Sequence, residues 1–405
     1  MTYSSKNVLD SFAKEAYQYK RISLLKPDVN KSEITFQAEG DNSIRYGLSK
    51  LRDVKEHTAG MIVSTRDTVG AFLSLWHFCA AVNKQHQKNL PVSVLYTLAM
   101  TGAFDSFIPD AVKSSDKING RGFVNVLVGA MQSHPLANHQ DIDDVMDMSG
   151  YDIYELCTVW CLALHKKGLN DYLKKHPADM DDLSAKVSAL LNTINFGKRE
   201  REKVEAKDVF ARIHSILVEY PDMLAFVMGW VSSKTTMNVV DTVFEEKRLS
   251  GVYMTSTPLT AIDAYSKIER EPPGKYIDGC PVYIPDVNEE YEGDVVSTVG
   301  VVKSIEEKTI TNPDSTMFNQ KMLVFALEDG MYTLNASIVG TKAVNYMKKF
   351  IEENVIIMAI GRIRNSERFG LSLMLEACKR YYPEATGDLI RVPEIKNGKP
   401  ASRAA

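Results

Sequence analysis

The stretch that decides the fold class is Asp294–Ile310, which reads DVVSTVGVVKSIEEKTI and alternates apolar with polar or small residues. Four stretches of the same kind follow it: KMLVFALEDG (321–330), MYTLNASIVG (331–340), VIIMAIGRIRN (355–365) and GLSLMLEACKRY (370–381). Such alternation, bounded by turn residues, is typical of β-strands. Between the third and fourth stretches, KAVNYMKKFIEEN (342–354) has the spacing of a helix. The sequence therefore predicts five strands and one helix near the C-terminus.

Five short strands with a helix between the third and fourth match a small Greek-key barrel of the OB type. Upstream the periodicity is helical instead. In PVSVLYTLAMTG (91–102), the apolar side chains of Val92, Leu95 and Leu98 form one stripe, and Gly102 suits a left-handed C-terminal cap. Residues 5–25 also predict an amphipathic helix. The predicted fold class is α+β multidomain, a mainly helical N-terminal two-thirds followed by a five-stranded OB-type β-barrel.

Composition limits the classes of function. The chain has 405 residues, 44% of them hydrophobic, and a net charge of −4, so any nucleic-acid contact must be local. No stretch predicts a membrane span or a signal peptide. The five cysteines are scattered, as in proteins of a reducing cytoplasm. We therefore expect a cytoplasmic protein, in the host cytoplasm if a bacteriophage encodes it, with no membrane contact.

Several motifs occur in an order that resembles the rear third of bacterial DNA polymerase III alpha subunits. They are KPDVN (26–30), IRYGLSKLRDV (44–54), FLSLWHFC (72–79), LAMTGAFD (98–105), GVYMTSTPL (251–259) and the five strands. The resemblance implies that the chain begins where the fingers of a polymerase end. It divides the chain into a fingers-end-like segment (1–60), a helical hairpin-like region ending in GAFD (61–107), a helical insertion or scaffold (108–248), a linker or arm (249–292), an OB-fold domain (293–382) and a tail (383–405).

The chain departs from this family where chemistry is concerned. The family carries a glycine-bearing hairpin, K-G-V-G, whose amides can grip a DNA phosphate, whereas this chain has Arg52-Asp53-Val54-Lys55-Glu56 there. We therefore expect the backbone grip to be lost, with Lys50, Arg52 and Lys55 either contacting a DNA backbone or forming plain surface. The family's palm aspartates, which hold the magnesium ions of phosphoryl transfer, lie upstream of the matched motifs. The formal Asp-x-Asp match here, Asp141-Ile142-Asp143, is better explained as a solvated helix start. No catalytic residue, metal site or cofactor is predicted.

The best candidates for DNA binding lie in the barrel, where aromatic residues can stack on bases and basic residues can follow phosphates. These candidates are Lys303, Lys321, Arg362, Arg364, Arg368, Phe369, Lys379 and Arg380. Arg362 and Arg364 are two apart on one strand and should share a face. The alternative is that they are solubilising surface residues.

A sliding clamp is a further candidate partner, because the family carries short clamp-binding peptides. QKMLVF (320–325) fits that pattern as text, but it overlaps the second predicted strand, where Leu323 and Phe325 should face the core. PDMLAF (221–226) lies where the family's peptide would, without the glutamine. The clamp site stays unassigned.

These patterns favour a non-catalytic subunit of a split polymerase III alpha-like replicative polymerase. Its expected partners are a separate catalytic polypeptide and single-stranded or primer–template DNA. One alternative is an independent single-strand-binding or recruitment protein. A second is a metal-dependent nuclease in the helical insertion, using Asp141, Asp143 and Asp147.

Overall fold

The computed structural model describes residues 10–11, 13–16, 21–108, 113, 119–132, 238–264, 280–366 and 370–393. The chain divides into two compact units, residues 1–255 and 256–405. Among the described residues, the first unit is mainly helical and the second is mainly β-sheet. The predicted α+β class, with helices first and strands last, is confirmed. Asp141, Asp143, Asp147 and PDMLAF (221–226) lie outside the described residues.

The first described residues, 10–11 and 13–16, are helical, and a small sheet follows them. Its strands are β1 (Ser23–Leu25), β2 (Gln37–Ala38) and β3 (Ser43–Arg45). Strand β1 runs parallel to β3, and β2 pairs with β3 in the antiparallel sense. The predicted helix over 5–25 is therefore wrong at its C-terminal end. Pairing with β3, about twenty residues away, decides the conformation of Ser23–Leu25, and local periodicity does not report such pairing.

Five helices of the first unit are described: α1 (Glu56–Val69), α2 (Leu75–His86), α3 (Val92–Met100), α4 (Gly120–Gln132) and α5 (Val239–Ser250). The Ser74 hydroxyl caps α2 by accepting from the His77 amide. Helix α5 begins with a capping box between Asn238 and Asp241 and ends at Gly251, whose φ is 94°. These signals explain why the helices begin and end where they do.

The end of α3 is fixed as its sequence predicts. Gly102 has a φ of 85°, a left-handed conformation that glycine adopts at little cost. The chain then folds back so that Phe104 is buried, with its ring centroid 5.1 Å from that of Phe78 and 5.7 Å from that of Phe107. The GAFD segment is thus the point where the hairpin region closes on its own core.

The second unit contains five strands that close on one another. They are β5 (Val295–Thr309), β6 (Lys321–Glu328), β7 (Thr333–Val339), β8 (Ile356–Ser366) and β9 (Gly370–Tyr382), with α7 (Thr341–Met347) between β7 and β8. Strand β5 pairs with β6 and β8, β6 with β7, β7 with β9 in parallel, and β9 with β8. The ladders therefore form a closed ring in the order 5-6-7-9-8.

Short flanking elements complete this unit. Strand β4 (Cys280–Pro281) runs parallel to β5, and β10 (Ile390–Arg391) pairs with β9. A short helix, α6 (Pro258–Ala261), contacts β5. The barrel core includes Leu323, Phe325 and Leu327 of β6, all at most 1% exposed. QKMLVF (320–325) is therefore part of a core strand, as the strand interpretation predicted.

Candidate nucleic-acid interface

The first turn of the helical hairpin lies between a 3-10 turn, Leu48–Lys50, and α1. Asp53 has a φ of 64°, the left-handed conformation that a glycine would supply, and aspartate tolerates it better than most residues. The next residue, Val54, is buried and anchors the turn in the core. The turn thus keeps a glycine-type backbone although it carries an acidic side chain.

Three exposed basic residues surround this turn, and we call Lys50, Arg52 and Lys55 the hairpin rim. The turn is fastened to the C-terminal end of α5. The Arg52 amide donates to the Leu249 carbonyl over 2.9 Å, and the Tyr46 hydroxyl donates to the Ser250 carbonyl over 2.5 Å. The backbone of the hairpin rim is therefore held rigidly while its side chains face solvent.

A second turn, between α2 and α3, repeats this plan. Gln87 is left-handed with a φ of 49°, Leu90 is buried, and Pro91 precedes α3. Lys84 and Lys88 are exposed beside it. Lys84 and Lys88 are not among the DNA-binding residues that the sequence motifs predicted. One sequence signal could have found them: no Asp or Glu occurs between Asp67 and Asp105.

A buried ion cluster joins the GAFD turn to α4 and α5. The Arg121 guanidinium lies 2.5 Å from Glu246 and 3.2 Å from Asp105, and it donates to the Met100 carbonyl over 3.0 Å. Glu246 is fully buried and also accepts from the Met254 and Thr255 amides. Burial lowers the pKa of Arg121, but the two carboxylates outweigh it and raise that pKa above its usual value. This cluster holds the hairpin region in place.

In the barrel, strand register brings some of the predicted DNA-binding residues together. Opposed residues of paired strands share a face. One row of such partners runs from β5 to β8 on the face opposite the core: Lys303, Ala326, Asn335, Ser372 and Arg364. The neighbouring row holds Glu306, Val324, Ser337, Met374 and Arg362. We call these two rows the barrel face. Lys303 and Arg364 lie at opposite ends of one row. Four strand steps of ~4.8 Å separate them, so they lie about 19 Å apart along the sheet.

The floor of the barrel face is small or apolar. Val324, Ala326 and Met374 are half-buried, so parts of these side chains remain open to solvent. Arg362 lies 3.7 Å from Glu376 and donates to the Gly293 carbonyl. Lys303 donates to the Asn354 amide oxygen. Basic side chains therefore border a floor on which bases could lie.

Three other predicted residues lie elsewhere. Lys321 lies outside the barrel face at the start of β6, and Glu307 pairs with it at 2.8 Å and also contacts Lys348. Lys379 shares the outer side of β9 but is opposite the buried Met358. Arg380 pairs with Ile357, a core residue, and so points to the other side of the sheet. Arg368 and Phe369 lie outside the described residues.

Among the described residues, no group of three or more His, Cys, Asp or Glu side chains could hold a metal ion. The described helices also include none that is long and apolar enough to cross a membrane.

Comparisons with known proteins agree with the helical part of this description. A helix-hairpin-helix motif family matches residues 21–113. The DNA polymerase III alpha subunit of Aquifex aeolicus is 39% identical over 82 residues, covering 20% of this chain and 7% of that protein. The same subunit of Neisseria meningitidis serogroup A is 36% identical over 161 residues, covering 38% of this chain and 13% of that protein. In Escherichia coli K12 the values are 31% over 106 residues, 24% and 9%.

The predicted resemblance to polymerase III alpha subunits is thus confirmed for part of the chain. This chain spans only 7% to 13% of the length of these three relatives. A solved structure, the Stn1–Ten1 complex of S. pombe, is 15% identical over 24% of this chain and 69% of that chain. Its TM-score of 0.18 is too low to bear on the fold.

Proposed function

We propose that this chain is a non-catalytic, DNA-binding component of a polymerase III alpha-like replicative polymerase. The observation that carries the proposal is the helix-hairpin-helix family match over residues 21–113, together with the partial matches of this chain to polymerase III alpha subunits. Its role is positional: it holds DNA in a fixed geometry for chemistry done elsewhere.

The hairpin supports this role through its charge and through the start of α1. Lys55 precedes α1 without a side-chain hydrogen bond to cap the helix, and the hairpin rim surrounds the same end. The start of a helix favours anions because its first amides and its dipole attract negative charge. A phosphate of the DNA backbone is the anion that fits a polymerase-related chain.

The barrel supports it through the barrel face. We propose that the barrel is an OB-type module that binds single-stranded DNA across this face. Arg362, Arg364 and Lys303 would contact phosphates, while bases lie on the apolar floor. A single strand suits the narrow floor better than a duplex, since its bases are available for stacking.

We further propose that the catalytic aspartates are supplied by a separate polypeptide and that the complex works in the cytoplasm. A sliding clamp remains a candidate partner without an assigned site. The observation that favours the alternative of an independent single-strand-binding protein is the barrel face itself, because it requires no polymerase to function.

The barrel face is tested by fluorescence anisotropy with a labelled single-stranded oligonucleotide and the full chain. Arg362→Gln/Arg364→Gln should weaken binding roughly tenfold, because two phosphate contacts are lost. The matched control, Lys342→Gln/Lys349→Gln, removes two exposed charges around α7, away from the barrel face. Equal weakening in both variants would reject the barrel face as the binding site.

The split arrangement is tested by affinity purification of the full chain from its native cells, followed by mass spectrometry. We expect a stoichiometric polypeptide that carries the polymerase aspartates. Recovery of nucleic acid without such a partner would favour the independent binding protein. Metal-dependent cleavage of DNA that Asp143→Ala abolishes would instead favour the nuclease.

A further inference from the structure

We propose that Arg248, on α5, is an additional contact to the sugar-phosphate backbone beside the first hairpin turn. Arg248 lies outside the residues that the helix-hairpin-helix family matches. This inference rests on the proposed function, since it takes the ligand of the hairpin to be nucleic acid. It adds a basic residue from another part of the chain to the hairpin rim.

The position of Arg248 follows from the contacts that fasten α5 to the turn. The residue after it, Leu249, accepts a hydrogen bond from the Arg52 amide. A hydrogen bond with Glu245 raises the pKa of Arg248, and the negative charge of Asp53 raises it further. The guanidinium is therefore within electrostatic reach of the turn, on the side where the hairpin rim begins.

Hydrogen bonds hold the Arg248 side chain in one orientation. Its Nε and Nη2 atoms donate to the two carboxylate oxygens of Glu245, each over 2.6 Å. Glu245 also accepts from the Tyr96 hydroxyl of α3 over 2.8 Å. The fork fixes the guanidinium plane, while 48% of the Arg248 side chain remains exposed. A guanidinium has five N–H donors, more than a single carboxylate fork uses.

The C-terminal end of a helix normally repels anions, because its last carbonyls carry partial negative charge. Three of these carbonyls in α5 are already covered by donors. Gly251 donates to Lys247 over 2.7 Å, Arg52 donates to Leu249, and Tyr46 donates to Ser250. The repulsion is correspondingly reduced, so a phosphate beside Arg248 meets mainly the side-chain charges.

Glu245 already binds the Arg248 guanidinium, so a phosphate must compete with this carboxylate. Glu245→Gln should therefore strengthen binding about threefold, whereas Arg248→Gln should weaken it by roughly threefold to tenfold. A general charge effect of Glu245 would persist without the arginine, so on this proposal the gain from Glu245→Gln should vanish in the double variant Glu245→Gln/Arg248→Gln.

The experiment measures the affinity of the full chain for a labelled primer–template duplex by anisotropy at low salt. The control is Lys247→Gln, which removes the same charge from the neighbouring residue. Lys247 is engaged by other groups, with its ammonium 4.3 Å above the Tyr253 ring and 3.5 Å from Asp10. Circular dichroism melts verify that each variant is folded.

The expected result is weaker binding for Arg248→Gln than for Lys247→Gln, together with stronger binding for Glu245→Gln. Equal affinities of the Arg248 and Lys247 variants, while Arg52→Gln still weakens binding, would overturn this inference and leave the proposed function standing. Failure of the unmodified chain to bind either the duplex or single strands would overturn both.

Discussion

At the scale of single residues, the most constrained charge is Arg121. Its guanidinium is bonded to Glu246, which is fully buried, and to Asp105. Its removal leaves the Glu246 carboxylate without its cation, whereas Asp105 keeps Lys26, whose ammonium lies 2.5 Å away. We expect Arg121→Met to lower the free energy of unfolding by about 3–5 kcal/mol, the usual loss when one partner of a buried ion pair is removed.

Urea unfolding followed by tryptophan fluorescence measures this loss, because all three tryptophans, at 76, 160 and 230, precede residue 256. Arg248→Gln is the comparison, since it breaks a pair that is largely exposed on the arginine side and should change the unfolding free energy by less than ~1 kcal/mol. Similar losses in the two variants would show that the Arg121 cluster does not stabilise the fold as described.

A second residue-scale prediction concerns Cys378, which lies in the barrel core. Burial raises the pKa of its thiol to about 12, so the reactive thiolate is scarce at neutral pH. Alkylation by iodoacetamide, mapped by mass spectrometry, should reach Cys378 only when the barrel unfolds. Above the ordinary thiol pKa of about 8.5, ionisation favours the unfolded chain, so the unfolding free energy should fall as pH rises. Rapid alkylation of the native protein would contradict the buried position.

At the scale of elements, the sequence predicts those whose signals are local. The α3 helix with Gly102 at its end, and the five barrel strands with a helix between the third and fourth, follow from periodicity and turn residues. The sheet of β1–β3 does not, because β1 is defined by parallel pairing with β3. The second hairpin turn at Gln87 was missed for a related reason: its left-handed conformation carries no glycine signal.

In β8, Gly361 lies too close to the backbone of β9 to accommodate a side chain. A Cβ atom at Gly361 would overlap the Met374 carbonyl oxygen and lie 2.8 Å from the Leu373 Cδ2 atom. The strand lies here beside a bulge in β9, where the ladder shifts between Ile360 and Gly361. Gly361→Ala should therefore destabilise the barrel by about 1–3 kcal/mol through overpacking.

The rate of Cys378 alkylation at increasing urea concentrations measures this change in the barrel itself. Gly387→Ala is the matched control, because a Cβ there has no neighbour within 4 Å. We expect that control to stay within about 0.5 kcal/mol of the unmodified protein. Equal effects of the two substitutions would mean that the approach of the β9 backbone to Gly361 is not tight.

At the scale of the whole molecule, charge explains why the site could be predicted only in part. A net charge of −4 implies local binding surfaces, and composition cannot say where they lie. Alternation along one strand placed Arg362 and Arg364 together. Grouping them with Lys303, and separating Arg380 from them, required the register of five strands, which depends on pairings distant in sequence.

The same electrostatics give a prediction for the full chain. Binding of a single strand releases counterions in proportion to the phosphates that are neutralised, with a slope of about −0.7 per contact in a plot of log affinity against log salt. In the proposed complex, Lys303, Arg362 and Arg364 would make three phosphate contacts on the barrel face, so this surface should contribute about −2 to the slope. In Arg362→Gln/Arg364→Gln the slope should be shallower by about 1.4, because two of those contacts are gone. Anisotropy titrations at several salt concentrations measure it. A slope that does not change in the variant would mean that these two arginines make no phosphate contact, whatever their effect on affinity at a single salt concentration.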